Sequence, residues 1–230
     1  MSERVNEFGQ PIGPALPDWR PARYPELVTL EGRFCRLERL TTDHADALWA
    51  ALKDAEASLY TYLPFGPFAD RAAFDATLQA LIARNGLEYY AIVDGDGAAG
   101  IASYMRIDTA NGTIEVGGIC YSPRLQRTAV ASEAMYLMLR HAFEDLGYRR
   151  YEWKCDSLNA PSRAAALRLG FQYEGLFRQA IVYKGRSRDT TWFAITDGDW
   201  PRVMGAFDAW LAPDNFDADG RQKAALQARA

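Results

Sequence analysis

Histidine and cysteine are scarce in this chain of 230 residues. The two histidines, His44 and His141, each fall inside a predicted helix, so a histidine-based metal site or catalytic triad has little support. The three cysteines, Cys35, Cys120 and Cys155, are far apart and odd in number, which fits neither a metal knot nor a disulfide framework. We therefore expect no metal and a reducing environment.

Long apolar runs and an excess of positive charge are also missing. No stretch approaches the roughly 20 apolar residues that span a bilayer, and the opening MSERVNEFGQ lacks the features of a secretory signal. The formal net charge is −4, so no global field favours nucleic acid or an anionic membrane. We expect a soluble cytoplasmic protein with neither as a partner.

Three segments follow from composition. The first 25 residues contain five prolines, which disfavour helix and central strand, so residues 1–26 are predicted to be an extended arm that wraps the domain or a neighbour. With 49% hydrophobic residues the chain can bury one sizeable core, which we place at residues 27–200. Residues 201–230 are predicted to form a short helix and a frayed tail. A homodimer is an open possibility.

Hydrophobic periodicity predicts the element order β-α-α-β-β-β-α-β-α-β-β. The predicted strands are 27–40 (a hairpin or one bent strand), 88–94, 98–108, 112–122, 148–156, 171–183 and 188–196, and the predicted helices are 43–55, 71–85, 126–146, 159–170 and 201–212. This order indicates an α/β fold in which a mixed sheet carries helices on both faces. Ligands of such sheets bind at the carboxyl ends of central strands, here near residues 119–123 and 155–159.

The stretch LQRTAVASEA, residues 125–134, directly follows a predicted strand. At such a strand-to-helix junction, backbone amides can gather around a phosphate, a task that glycine usually serves. This stretch contains no glycine. Taken alone, it is equally an ordinary helix start.

Two sequence units, QRTAVA and NAPSRAAALRLGF, stand out in the predicted element order. Together with that order they resemble the GNAT superfamily of acetyl-CoA-dependent N-acetyltransferases, and the resemblance covers about residues 27–196. Through YRRYEWKCDSLNAPSR and YKGRSRDTTWFAIT, the chain looks most like ribosomal-protein alanine N-acetyltransferases and acetyltransferases that detoxify microcin C-type aminoacyl nucleotides. The resemblance implies an α/β (α+β) fold whose largely antiparallel sheet is splayed in the middle to hold acetyl-CoA.

The same resemblance implies the residues that bind the co-substrate. The family pattern Gln/Arg-x-x-Gly-x-Gly/Ala is matched by Gln126, Arg127, Thr128, Ala129, Val130 and Ala131. Ala129 replaces the expected glycine, which is tolerable if the turn keeps helical dihedrals, because the phosphate is bound by backbone N–H groups. The amides of Ile119, Cys120 and Tyr121 would receive the thioester carbonyl, with Gly117 and Gly118 easing a bulge.

The second unit matches the pattern Asn-x-x-Ala/Ser-x-x-x-Tyr-x-x-x-Gly-Phe except at its tyrosine, which is Ala166 here. In many relatives that tyrosine is the proposed acid for the departing thiolate. Ser162, one turn earlier, is the replacement candidate, although a serine there also serves a helix end. Asn159 would bind the pantetheine arm and can cap the helix as well.

Glu115 occupies the strand position at which relatives carry a glutamate that removes a proton. The alternative is an ordinary strand residue facing solvent. Asp156 is the second candidate base, whereas Glu133 is expected on a helix surface. Cys120 and Cys155 lack a matched base and are interpreted as small buried hydrophobes, which favours direct transfer over an acyl-enzyme.

Aromatic residues suggest where the acceptor binds. Trp153 and Trp192 are candidates for the groove wall, with Tyr60, Tyr62 and Phe65 from the loop SLYTYLPFGPF, while core packing explains the tryptophans and the loop equally well. We expect transfer to a primary amine of a small molecule or peptide. The alternatives are a catalytically inactive acyl-CoA-binding module and an unrelated α/β domain without a coenzyme site.

Overall fold

The structure, a computed structural model, describes residues 4–26 and 28–229. These residues include ten strands and five α-helices. The strands are β1 (Arg4–Val5), β2 (Pro11–Ile12), β3 (Leu30–Glu31), β4 (Arg36–Arg39), β5 (Leu87–Asp94), β6 (Gly97–Asp108), β7 (Thr113–Tyr121), β8 (Arg150–Asp156), β9 (Gln172–Tyr183) and β10 (Arg186–Thr196). The helices are α1 (Ala45–Leu52), α2 (Arg71–Ile82), α3 (Ala129–Arg140), α4 (Ala160–Arg168) and α5 (Trp200–Leu211). Leu27, the predicted start of the first strand, lies outside the described residues.

The central sheet has eight strands in the order β3-β4-β5-β6-β7-β8-β10-β9. Every neighbouring pair is antiparallel except β7 and β8, which run parallel and are connected by α3. Parallel neighbours need a crossover of this kind, and antiparallel ones do not. The prediction of a mixed, largely antiparallel sheet is confirmed.

Helices cover both faces of the sheet, as predicted. On one side, α1 and α2 bury Leu48, Phe74 and Leu78 in a cluster with Ile101 of β6. On the other side, α3, α4 and α5 join a larger cluster with the opposite side of the strands. We call these the α1/α2 face and the α3/α5 face. No helix among the described residues is long and apolar enough to cross a membrane.

The helix after β7 begins at Ala129, three residues later than predicted. Thr128 is its N-cap, with extended dihedrals and a side chain that accepts a hydrogen bond from the N–H of Ala131. Arg127, directly before it, has a φ of 61°. A left-handed residue cannot belong to a right-handed helix, so α3 starts after Arg127. The helical spacing of apolar residues, on which the prediction is based, does not show this interruption.

The prediction of a frayed tail is wrong. Phe216, Leu226 and Ala228 are buried against the same cluster as α5, and Trp210 Nε1 donates a hydrogen bond to Gln222 Oε1 at 3.0 Å. These apolar residues are few and irregularly spaced. Each is buried as a single side chain, without the periodic spacing that identifies a helix or strand in a sequence. The sequence pattern therefore does not predict that the tail is ordered.

The arm is attached at the end of the sheet where β7 and β8 begin. Ala22 N–H donates to Thr109 O at 2.9 Å, Trp19 Nε1 donates to Ala110 O at 3.1 Å, and Arg23 N–H donates to Leu146 O at 2.8 Å. These acceptors lie in the β6–β7 turn and in the connection from α3 to β8. The arm is therefore anchored away from the carboxyl ends of the central strands.

Glu133 is not on the surface of α3, contrary to the prediction. It is 3% exposed, and its carboxylate accepts three backbone hydrogen bonds, from Arg33 at 2.7 Å, Phe34 at 2.6 Å and Cys35 at 2.9 Å. These N–H groups belong to the turn between β3 and β4. One carboxylate thus satisfies a turn that is distant in sequence and fixes the first hairpin on α3.

Replacing Glu133 with glutamine is expected to lower the free energy of unfolding by about 2–4 kcal/mol, because an uncharged amide binds the three N–H groups more weakly and brings its own donors among them. Urea denaturation monitored by circular dichroism measures the difference. The matched control is Glu56→Gln, at an exposed glutamate, with an expected change within about 0.5 kcal/mol. Equal effects of the two substitutions would contradict the anchoring role.

Candidate functional site

The central strands β7 and β8 separate halfway along their length. They pair only over Thr113–Val116 and Arg150–Trp153. Beyond that, β7 continues along β6 as far as Tyr121, and β8 continues along β10 as far as Asp156. The carboxyl halves of the two strands therefore leave a wedge-shaped opening in the sheet, which we call the split. This confirms the predicted splay.

A β-bulge lies at the start of the split. Ile101 and Ser103 of β6 pair with Cys120 and Gly117 of β7, so β7 has one extra residue there. Gly118, within the bulge, has a φ of 59°, and a Cβ at this position would lie 2.5 Å from Tyr89 Oη. Glycine is required at this position for both reasons.

The three β7 residues predicted to receive the thioester carbonyl lie just beyond or within this bulge. Ile119 falls inside it, outside the regular ladder. Cys120 and Tyr121 pair with Ile101 and Gly100 of β6. The Cys120 side chain is buried on the α1/α2 face, and burial raises its thiol pKa to about 12, which fits a small hydrophobe better than a nucleophile.

Unpaired backbone donors collect at the N-terminus of α3. The N–H groups of Arg127, Thr128, Ala129 and Val130 donate to no acceptor within residues 4–26 and 28–229. Four consecutive donors at the positive end of a helix dipole fit a pyrophosphate. Ala129 is the first residue of α3 and has the helical conformation in which alanine can replace glycine.

The outer residues of the predicted cradle use their amides elsewhere. Gln126 N–H donates to Ser122 O at 3.2 Å, and Ala131 N–H donates to the Thr128 hydroxyl at 3.2 Å. Of the six residues predicted to form the cradle, the middle four have amides that remain free for a ligand.

The α4 unit places a serine hydroxyl beside a tryptophan. Asn159 caps α4 by accepting a hydrogen bond from Ser162 N–H at 3.1 Å. Ser162 Oγ in turn accepts from Trp153 Nε1 at 3.0 Å, which leaves the hydroxyl proton of Ser162 free to donate. Ala166, at the position of the missing tyrosine, is completely buried in the α3/α5 face.

On the α1/α2 face, a buried lysine lies beside the split. The Lys154 side chain is 4% exposed, and its Nζ lies 2.9 Å from Glu115 Oε2, 2.5 Å from Glu152 Oε2 and 3.7 Å from the ring centroid of Trp192. Arg106 Nη1 lies 2.7 Å from the same oxygen of Glu115. Buried charges require such partners, because each is costly to remove from water alone.

Glu115 is therefore buried and doubly ion-paired, which rules out the solvent-facing alternative. Both cations contact Oε2, whereas Oε1 accepts no hydrogen bond from any residue that the structure describes. A Cβ on Gly117 would lie 3.6 Å from Oε1. The free oxygen of Glu115 thus faces the residue at which the strands separate.

Asp156 marks the far end of the split, at the last position of β8. Its Oδ1 accepts from Leu158 N–H at 2.9 Å and its Oδ2 accepts from the hydroxyl of Tyr183 at 2.8 Å. Burial, with the hydrogen bond to Asp156 as a smaller cause, raises the pKa of Tyr183. Both oxygens of Asp156 are engaged, in contrast to Glu115.

The two candidate tryptophans lie on opposite faces of the sheet. Trp192 is on the α1/α2 face, stacked on Phe177 with ring centroids 4.4 Å apart. Trp153 is buried on the α3/α5 face against Phe171, so its predicted place in the groove wall is wrong. The parity of β8 explains this, since Trp153 alternates with the Lys154 side chain.

The three candidate residues of the aromatic loop differ in their burial. Tyr60 is 2% exposed and packs in the α1/α2 core, so it does not line an open groove as predicted. Tyr62 is half-buried and donates its hydroxyl to Leu158 O at 3.0 Å, and Phe65 is half-buried beside Phe68. The loop therefore both packs the core and closes over the residues that follow β8.

Sequence reasoning missed Lys154, Phe177 and Tyr183. A signal for Lys154 was present, because EWKCD alternates Glu152, Lys154 and Asp156 along one side of a strand whose other side is apolar. No comparable local signal identifies Phe177 or Tyr183, whose partners lie on other strands.

Comparison with known proteins agrees with this geometry. Residues 35–172 match the acetyltransferase (GNAT) domain model. The fold is similar to a GCN5-related N-acetyltransferase from Brucella melitensis, with 45% identity, a TM-score of 0.89, and coverage of 92% of this chain and 98% of that one. A probable GNAT-family acetyltransferase from Chromobacterium violaceum is 41% identical, with a TM-score of 0.78 and coverage of 84% and 98%.

A named relative is more distant. The ribosomal-protein-serine acetyltransferase of Escherichia coli is 31% identical over 105 residues, which are 46% of this chain and 58% of that protein. The domain match covers more than half of the chain, and this excludes the unrelated α/β domain. The fold of the family implies acetyl-CoA as co-substrate, and the chain is an acetyltransferase that belongs to the GNAT family.

Proposed function

We propose that the protein transfers an acetyl group directly from acetyl-CoA to a primary amine. The acceptor is the α-amine of a peptide or protein N-terminus, or of an aminoacyl-nucleotide-like conjugate. The observation that carries the proposal is the split, together with the four free amides of Arg127–Val130 that follow β7 and the free oxygen of Glu115 next to the last paired residue, Val116. We expect the donor and the acceptor to meet in this gap.

The residues of the donor side fit acetyl-CoA. When bound, the co-substrate supplies an acetyl group activated as a thioester. The amides of Arg127–Val130 would hold its pyrophosphate, and the side-chain N–H₂ of Asn159 would donate to the pantetheine arm. Ile119, in the bulge, offers an N–H to the thioester oxygen, with Cys120 and Tyr121 continuing the strand beyond it.

Ser162 stabilises the leaving sulfur by donating its hydroxyl proton. Its Oγ accepts from Trp153 Nε1, which fixes the oxygen and directs the O–H away from the indole. A hydrogen bond to a developing negative charge strengthens as the carbon–sulfur bond breaks, which is the condition for a rate effect.

Glu115 removes the proton from the acceptor amine through Oε1, directly or through water. Its other oxygen is held by Lys154 and Arg106, which orient the carboxylate. Asp156 is the second candidate, but both of its oxygens already accept hydrogen bonds. Trp192, Tyr62 and Phe65 supply the apolar surface around the entering amine.

The alternative function is an acyl-CoA-binding module without turnover. Ala129 and the absence of the tyrosine favour this alternative, yet Ala129 keeps its N–H free and Ser162 offers a donor one turn away. Release of free coenzyme A thiol in the presence of an amine panel distinguishes the two functions.

Substitutions at Ala129 test the cradle. Ala129→Pro removes one N–H donor at the first helical position, where proline is tolerated, and Thr128 before it is already extended. We expect acetyl-CoA affinity to fall about tenfold, because one hydrogen bond to a charged group is lost. Isothermal titration calorimetry measures the dissociation constant.

The matched variant Ala129→Gly restores the family residue and keeps the N–H, so its affinity should remain within about threefold of the parent protein. In a melting assay, acetyl-CoA at 100 times its dissociation constant should add about 2.7 kcal/mol to the parent protein. Unchanged affinity in a folded Ala129→Pro protein would place the pyrophosphate elsewhere.

Ser162→Ala should lower kcat by about 10- to 100-fold while acetyl-CoA binds with nearly the same affinity, because the lost donor acts on the departing sulfur. Steady-state thiol release and calorimetry give the two values. Ser162→Thr keeps a hydroxyl and should recover most of the rate. Equal kcat in the alanine variant and the parent protein would remove Ser162 from this role.

Glu115→Gln should lower kcat/KM for the amine about 100-fold or more, the usual contribution of a general base. Glu152→Gln is the control, because it also removes one carboxylate partner of Lys154 without altering Glu115. If both variants lose the same activity, Glu115 is only part of the ion-pair network. A larger loss in Asp156→Asn than in Glu115→Gln would assign the base to Asp156.

A further inference from the structure

The part of the β9–β10 hairpin between Glu174 and Asp189 is positively charged, although the chain as a whole is acidic. Between residues 175 and 188 there are four basic residues and no aspartate or glutamate, whereas the net charge of the whole chain is −4. The four are Arg178, Lys184, Arg186 and Arg188. We call them the basic rim.

Two of these guanidinium groups are connected to the split through Tyr183. The Cζ atoms of Arg186 and Arg188 lie 5.4 Å and 5.8 Å from the centroid of the Tyr183 ring. The hydroxyl of that ring donates to Asp156, at the end of β8. The rim therefore begins one aromatic side chain away from the place where the acceptor amine is expected.

The tip of the hairpin is held in place by the aromatic loop. Lys184 Nζ donates to Tyr60 O at 2.8 Å and to Gly66 O at 3.1 Å, and Arg186 Nη2 donates to Thr61 O at 2.8 Å. These contacts fix two rim residues before any partner arrives. Preorganised groups lose less conformational entropy on binding than free ones.

The outer part of the rim borders an open cavity. Arg178, Gln179, Ser187 and Asp189 line a space of about 570 Å³. Asp189 is the acidic member, and its carboxylate already accepts a hydrogen bond from Gln179 N–H at 2.7 Å. Its carbonyl accepts from Ser157 N–H at 2.9 Å, so the cavity adjoins the residue that follows β8.

We propose that the basic rim binds the acidic side chains of a peptide acceptor whose terminal amine enters the split. This inference rests on the proposed N-acetyltransferase function and adds a substrate preference to it. An anionic partner complements the local charge, and the rim includes both the arginine pair beside Tyr183 and Arg178 at the cavity. Several carboxylates in sequence can pair with both parts of the rim, whereas a single phosphate can pair with only one.

Matched peptides with a free α-amine test the preference. Two peptides share their first two residues and differ at positions 3–6, which are aspartate in one and asparagine in the other. We expect kcat/KM to be about tenfold higher for the aspartate peptide at low salt, since each exposed charge pair contributes a factor of about two to five. The advantage should shrink as sodium chloride is raised.

Arg178 is the most informative rim residue for substitution, because it is exposed and lines the cavity. Arg178→Gln should lower kcat/KM for the aspartate peptide about two- to fivefold, and Arg178→Glu should lower it further. Arg221→Gln, which removes an exposed arginine of the tail, is the control with matched charge. The Arg221→Gln variant should prefer the aspartate peptide over the asparagine peptide as strongly as the parent protein does.

The outcomes separate the inference from the function on which it rests. Turnover of both peptides at equal kcat/KM overturns the acidic preference and leaves the N-acetyltransferase intact. If neither peptide is turned over and fluorescence anisotropy detects no salt-dependent binding of a labelled aspartate peptide, the inference fails. The N-acetyltransferase function fails only if the amine panel also releases no coenzyme A thiol. A stronger effect of Arg178→Glu on an aminoacyl nucleotide than on the peptide also overturns the inference.

Discussion

The rest of the site depends on the short parallel pairing of β7 and β8. Backbone hydrogen bonds join the two strands over Thr113–Val116 and Arg150–Trp153 and then stop, while each strand stays fixed to its outer neighbour. The sheet therefore opens without losing its continuity at either edge. Because α3 connects the two strands and follows the carboxyl end of β7 after residues 122–128, its N-terminus is expected on the side of the sheet where the opening lies. One interruption in a ladder thus places a helix terminus, a bulge and two strand ends around a common gap.

The α1/α2 face carries a chain of alternating charges beside its apolar cluster. Lys154 lies between Glu115 and Glu152, with Arg106 beyond one of them and Arg150 beyond the other. Such a chain compensates the desolvation of its members only while it is complete, so it is sensitive to the removal of any single group. The opposite face has a close-packed apolar core, in which Trp153 Nε1 donates a hydrogen bond to Ser162 Oγ. The buried charges therefore lie on one face of the sheet, and the Trp153–Ser162 hydrogen bond lies on the other.

Much of this arrangement could be predicted from the sequence. The strand-to-helix junction at LQRTAVASEA, the cap at Asn159 and the bulge at Gly118 all have local signals, because turns and helix ends are determined by neighbouring residues. Glu133 and Trp153 were misplaced for a different reason. Helices cover both faces of the sheet, so alternation along a strand separates the two faces without revealing which one holds the groove. Glu133 accepts hydrogen bonds from residues about a hundred positions away, and no local pattern records such partners.

The anchoring of the arm has a practical consequence. Its contacts with Thr109, Ala110 and Leu146 hold residues 19–23 at the amino ends of β7 and β8, whereas the split opens toward their carboxyl ends. The length of the strands therefore separates these residues from the split. A tether or fluorescent label attached at the exposed position 20 would sit at the amino ends and leave the split open for immobilised or single-molecule work.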